Sequence, residues 1–114
     1  MHSFEVIGGK RLSGEITPQG AKNEALQVIS AVLLTPEKVT ITNIPDILDV
    51  NLLIELLGEM NVKIERPQRD TCIFQADDVD VDYLRSDTYR KKSGRLRGSV
   101  MLAGPMLARF RKAY

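Results

Sequence analysis

The stretch GAKNEAL, Gly20 to Leu26, places Lys22 and Asn23 at what reads as the start of an amphipathic helix. A helix N-terminus carries the positive end of the backbone dipole, so an acidic residue is the favourable neighbour there and a lysine adds like charge. If the lysine turns outward, the cost is small. If it converges with the free N–H groups of the first turn, it makes a site for a phosphate or a carboxylate. KKSGRLRGSV repeats the pattern: Ser93 reads as the cap of a last helix, with Lys91 and Lys92 before it and Arg95 and Arg97 in its first turn. Taken alone, that run reads as a solvated basic face. Two cation-bearing helix starts in one small unit favour a shared anionic ligand instead.

Other chemistries are excluded residue by residue. Asp78, Asp80 and Asp82 alternate as in a calcium loop, but Tyr83 stands where that loop needs glycine and Tyr89 where it needs a bidentate glutamate. The run therefore reads as a solvated loop. One cysteine, Cys72, and one histidine, His2 at the chain end, cannot assemble a metal centre. Cys72 sits in the strand-like TCIFQA without a basic neighbour and is expected to be a small core hydrophobe. The glycines form neither a dinucleotide fingerprint nor a Walker loop, so a mononucleotide cradle of those kinds is excluded.

The elements that must position Lys22 and Arg97 follow from periodicity. FEVIGG and LSGEITP read as two short extended pieces. From Ala21 to Leu34 the apolar residues Ala25, Leu26, Val28, Ile29, Val32 and Leu33 fall at helical spacing, and Pro36 stops the run. KVTITNI alternates as a strand. PDILDVNLLIELLGEM reads as a helix with Asp46 as N-cap, Asp49 in the first turn and Val50, Leu53, Ile54 and Leu57 as its buried stripe. Asn61 suits a left-handed residue after that helix. VKIER, a turn over PQRD, and TCIFQA make a hairpin. The acidic DDVDVDYLRSD is irregular, and a last helix from about Ser93 carries Val100, Met101, Leu102, Met106 and Leu107, bent by Pro105. The order β-β-α-β-α-β-β-α predicts an α/β unit with mixed strand pairing.

With 114 residues the chain has room for one modest core. Its formal net charge of +1 argues against a nucleic-acid or acidic-membrane partner, so anion binding must be local. Three phenylalanines, three tyrosines and no tryptophan offer few stacking surfaces for bases. The longest apolar runs, VISAVLL and VMLAGPML, fall well short of the ~18 residues a membrane span needs. A lone cysteine, no Asn-x-Ser/Thr acceptor and no signal-peptide pattern lead to the expectation of a soluble, cytoplasmic protein.

GGKRLSGEITPQGAKNEALQVISAVLL, NIPDILDV and RLRGSVMLAGPMLARF resemble, in order and spacing, the N-terminal part of the UDP-N-acetylglucosamine enolpyruvyl transferases, over Phe4 to the chain end. In the related shikimate-pathway enzymes the matching lysine is followed by serine, whereas Lys22 is followed by Asn23. The resemblance implies an inside-out α/β barrel (α+β) built from β-α-β-α-β-β repeats. Residues 1–20 would be strands associated with the other globular domain, and 21–114 would form one repeat plus the following helix. It implies a bacterial transferase of peptidoglycan synthesis, hence of cell wall biogenesis, cell shape, cell cycle and division. That enzyme moves the enolpyruvyl group of phosphoenolpyruvate to the 3-hydroxyl of UDP-N-acetylglucosamine without a metal or cofactor. By resemblance, Lys22 and Asn23 bind phosphoenolpyruvate and Arg97 binds the UDP-sugar. Asp49 matches a recurrent aspartate of the family, although its helix-start position accounts for it without a ligand.

Two departures follow from the same resemblance. The family's general acid, cysteine or aspartate, lies on a loop expected beyond Tyr114, and Cys72 is not that residue because it precedes Arg97. Arg111 stands where the family commonly has glycine. The chain therefore reads as an N-terminal fragment, inactive alone and prone to self-association through bared apolar surface. Two other functions compete with this one: a noncatalytic anion-binding or interaction module on the same scaffold, and a small nucleic-acid binder using Arg90 to Arg97, which near-neutral charge disfavours.

Overall fold

A computed structural model describes residues 2–114, with side chains for all of these except Arg97 and Gly98. Helix α1 spans Lys22–Ser30 and tightens into a 3-10 turn over Ala31–Leu34 before Pro36. Strand β1 is Lys38–Ile41, α2 is Leu48–Glu59, and β2 (Lys63–Gln68) and β3 (Thr71–Gln75) form the expected hairpin. A 3-10 turn over Val81–Arg85, helix α3 (Asp87–Ser93), a second 3-10 turn over Arg97–Leu102 and helix α4 (Ala103–Phe110) complete the order.

The sheet is three-stranded in the order β1-β3-β2, and both pairings are antiparallel. β1 and β2 therefore run parallel to each other with β3 between them, a split unit whose crossover is α2. The expected mixed pairing is not found among the described residues, because the return strand β3 inserts between the two parallel strands.

One core lies between the sheet and the helices. Ala25, Leu26 and Ile29 of α1, Val50, Leu53, Leu56 and Leu57 of α2, and Cys72 and Phe74 of β3 pack together with Leu96, Leu102 and Met106. At about 1.5–3 kcal/mol for each large aliphatic or aromatic side chain fully removed from water, this cluster is the main force holding the elements in place. Two stripe residues differ from expectation. Ile54 is only half-buried and Leu56 takes the interior position. Val28 is 44% exposed, because it borders an open concavity of about 120 Å³ between α1 and the end of β1.

The two N-terminal strands do not form: residues 2–21 carry no regular structure, and Phe4, Val6, Leu12 and Ile16 are exposed. An isolated strand leaves its N–H and C=O groups without a ladder, and alternation in the sequence cannot supply the partner.

The last helix is also not one helix. Ser93 ends α3 instead of opening a helix, and the cap is Ser86, whose hydroxyl accepts from the Tyr89 N–H at 3.0 Å. Asp80 likewise starts a 3-10 turn within the stretch expected to be irregular, accepting from the N–H groups of Asp82 and Tyr83 at 3.1 and 3.3 Å. Pro105 is the third residue of α4, where an N–H has no helical partner to lose, so it fits the helix start without bending it.

Asn61 adopts φ 70°, as expected for the residue after α2, and Arg111 adopts φ 59° just after α4. The left-handed conformation costs an L-residue with a Cβ about 1–2 kcal/mol, and glycine escapes that penalty. Arg111→Gly is therefore expected to stabilise the chain by about 0.5–1 kcal/mol, part of the gain being returned as unfolded-state entropy. A urea midpoint that falls instead would contradict the left-handed cap.

Candidate functional site

Lys22 is the first residue of α1, preceded by Ala21 in an extended conformation that offers no side-chain cap. The first intrahelical bond is made by Ala25 N–H to the Ala21 carbonyl at 2.9 Å, and no capping side chain occupies the first-turn N–H groups. Helix α2 starts the same way. Its cap position is Ile47, again without a side-chain hydrogen bond. Asp46, expected to be that cap, lies one residue too early. It accepts instead from Asn51 Nδ2 at 2.9 Å and from Arg69 Nε at 2.6 Å, and these two bonds hold its carboxyl below the usual range.

The two uncapped starts are adjacent because the chain entering α1 is pressed against the connection entering α2. A Cβ built on Gly20 would lie 2.0 Å from the Asn43 carbonyl oxygen and 3.1 Å from Pro45 Cδ, so only glycine fits there. Asn43 itself takes φ 56°, and the Ile44 N–H donates to the Asp70 carbonyl at 2.9 Å, which ties this bend to the β2–β3 turn. Arg66 reinforces the tie, donating to the Arg69 carbonyl at 3.0 and 2.7 Å and to Asn51 Oδ1 at 3.2 Å.

Across this junction Lys22 Nζ meets Asp49 Oδ2 at 2.7 Å. The like-charge penalty anticipated for a lysine at a helix start is thus met by a carboxylate on the neighbouring helix. Half of the Lys22 side chain remains exposed, and Asn23 beside it is exposed too. The pairing could not be anticipated from spacing, since the two positions are 27 apart in sequence with a strand between them.

The second cationic helix start dissolves. Lys91 and Lys92 fall in the last turn of α3, where cations are favourable to the dipole, and Arg95 lies in the link that follows. Lys92 is engaged: it donates to Glu55 Oε1 at 2.8 Å and to Glu59, while the Tyr83 hydroxyl donates to the other Glu59 oxygen. These bonds raise the Lys92 ammonium above its usual range and lower the Glu59 carboxyl, first through Lys92 and then through Tyr83. Burial, seconded by Glu59, pushes the Tyr83 phenol up to about 12. A depressed carboxyl contributes stability that is complete above its ordinary value and is lost as pH falls through the lowered one.

Arg97 opens the 3-10 turn that packs on α1 and α2, so the elements bearing Lys22, Asn23 and Arg97 are neighbours. The Arg97 side chain lies outside the described residues.

Cys72 is fully buried, and burial pushes its thiol up, an effect Arg66 partly offsets, as suits a core residue. Among the described residues no His, Cys, Asp and Glu cluster could hold a metal ion, and no helix is long and apolar enough to cross a membrane. Arg109, which the sequence did not single out, donates to the carbonyls of Leu33 at 2.9 Å and Ala76 at 2.7 Å, closing the end of the turn after α1 onto the end of β3.

Comparison with known proteins places this geometry among relatives. The family model for EPSP synthase (3-phosphoshikimate 1-carboxyvinyltransferase) matches residues 6–114. A UDP-N-acetylglucosamine 1-carboxyvinyltransferase from Bacteroides thetaiotaomicron is 62% identical over 113 residues, covering 99% of this chain and 26% of the relative. The protein of the same name from Porphyromonas gingivalis is 60% identical over 110 residues, covering 96% and 25%. This chain thus spans about a quarter of the length of the curated relatives it matches. In three dimensions it is similar to the enolpyruvyl transferase NikO from Streptomyces tendae, with a TM-score of 0.64 and 25% identity, over 88% of this chain and 22% of that one.

Proposed function

Because this chain belongs to the EPSP synthase (3-phosphoshikimate 1-carboxyvinyltransferase) family, we propose that it forms part of an enolpyruvyl transferase acting on UDP-N-acetylglucosamine. In that reaction the enolpyruvyl group of phosphoenolpyruvate passes to the sugar's 3-hydroxyl. Addition gives a tetrahedral intermediate, and elimination releases phosphate. This is the entry to peptidoglycan synthesis and so to cell wall biogenesis, cell shape and division, in the cytoplasm of a bacterium. No metal or cofactor takes part.

The observation that carries the reading is the uncapped start of α1 with its half-exposed lysine, in a chain whose relatives at 60–62% identity bear the name of that activity. Lys22 and Asn23 hold phosphoenolpyruvate, with the first-turn N–H groups adding donors for its charged oxygens. Arg97 contacts the UDP-sugar. Preorganised donors of this kind stabilise charge that moves between carboxylate, phosphate and the reacting carbon. The general acid that protonates the methylene carbon, and the remaining repeats of an inside-out barrel, come from segments outside these residues. Residues 1–20 pair with the other domain, consistent with their exposed apolar side chains. Exposed Leu34, Leu48, Val100 and Leu107 fit a surface that such segments cover, and the isolated chain is expected to self-associate through it.

Lys22→Met and Arg97→Met in the full-length protein test the assignment. Each removes a charge-assisted contact worth about 1.5–3 kcal/mol, or roughly 10–100-fold in affinity. The KM for phosphoenolpyruvate should rise in the first variant and that for the UDP-sugar in the second. Unchanged constants in both would overturn the assignment.

A further inference from the structure

Asp49 faces the candidate site but has no part in the reaction as proposed. Its carboxylate is two-thirds buried, sits in the first turn of α2 and meets the Lys22 ammonium at 2.7 Å. It is the acidic residue of that first turn, next to the positive end of the α2 dipole. A lysine side chain has four rotatable bonds, and ordering such a chain when a ligand arrives costs affinity. Here the ordering is already done, on the rigid N-terminus of a second helix. The pair contributes little to folding, since a part-exposed ion pair is screened by solvent and salt. Its effect must therefore be sought in what Lys22 does.

We propose that Asp49 is the positioning residue for Lys22, holding the ammonium at the junction of α1 and α2 so that phosphoenolpyruvate meets a fixed cation. This rests on the reading of Lys22 given above. The rival role is that of a mere counter-ion, which the arriving anion displaces. Those two roles pull the affinity in opposite directions. Removing a positioning group weakens phosphoenolpyruvate binding, whereas removing a mere counter-ion strengthens it.

Steady-state kinetics of the full-length protein with Asp49→Asn, Asp49→Glu, Lys22→Met and the Lys22→Met/Asp49→Asn double variant separates them. Asp49→Asn is expected to raise the KM for phosphoenolpyruvate about 3–10-fold, leave that for UDP-N-acetylglucosamine unchanged and barely move the unfolding midpoint. Asp49→Glu should restore part of the loss, and Asp49→Asn should add nothing once Lys22 is gone. An unchanged or lowered KM in Asp49→Asn, beside a raised one in Lys22→Met, overturns the positioning role while leaving the function intact. A Lys22→Met protein with normal phosphoenolpyruvate kinetics instead overturns the functional reading on which the proposal stands.

Discussion

Phosphate release from phosphoenolpyruvate in the presence of UDP-N-acetylglucosamine is expected to be at background for the 114-residue chain and readily measured for the protein at the full length of its relatives. Proton delivery by a positioned acid contributes about 10²–10⁴-fold, and the proposed acid lies on a segment these residues do not contain. Water exclusion is lost as well. In the isolated chain Lys22 is half exposed, and its contacts with an anion compete with solvent. In a closed site the same contacts act at low dielectric and on the transition state. A colorimetric phosphate assay on both chains decides the matter. Equal turnover would mean that the chemistry resides among residues 1–114, which would displace the proposed roles altogether.

Replacing Gly20 with alanine should cost about 1–3 kcal/mol of folding stability and disturb the site at the same time. The new methyl would lie 2.0 Å from a backbone carbonyl oxygen, a contact that no rotamer change relieves. Relief requires the segment before α1 to lift away from Asn43, and that moves the start of the helix bearing Lys22. Gly8→Ala is the matched control, since nothing lies within 4 Å of its added Cβ, and it should stay within about 0.5 kcal/mol of the parent. Urea denaturation of the two variants provides the comparison. A Gly20→Ala chain as stable as the Gly8→Ala chain would show that the close approach is not maintained in solution.

The elements around Gly20 were legible to different degrees, for reasons that can be stated. α1, β1, α2 and the hairpin are each set by a local period, so their existence followed from residue spacing, and Asn61 marked the end of α2 through its tolerance of a left-handed backbone. Between Ser93 and Phe110 the apolar residues keep a helical spacing, but the backbone turns extended at Leu96 and then runs as a 3-10 turn to Leu102, so one expected helix became the end of α3, a 3-10 turn and α4. Reading Ser93 as a cap misplaces Lys92, because the sign of a helix-end charge depends on which end it occupies. For the N-terminal strands the local pattern was present and the partner was not.

The roles proposed for Lys22, Asn23 and Arg97 come from resemblance, and Lys22 is also marked by its misfit at a helix start. The Asp49 partner was not legible. Its first-turn position already explained it, and contacts between helices separated by a strand carry no signature in spacing.

The insertion of β3 between β1 and β2 also bears on the order in which the molecule assembles. β2 and β3 are joined by a two-residue turn at Arg69 and Asp70, whereas Ile41 must find Cys72 across about 30 intervening residues that include all of α2. Closing the longer loop costs roughly 2 kcal/mol more in chain entropy than closing the hairpin, which makes β1 the slower strand to dock. The bend at Asn43, the contact with Gly20 and the meeting of Lys22 with Asp49 all lie downstream of that docking. The junction of Lys22 and Asp49 is thus expected to be the late-folding part of the unit, resting on a hairpin and a helix that can form before it.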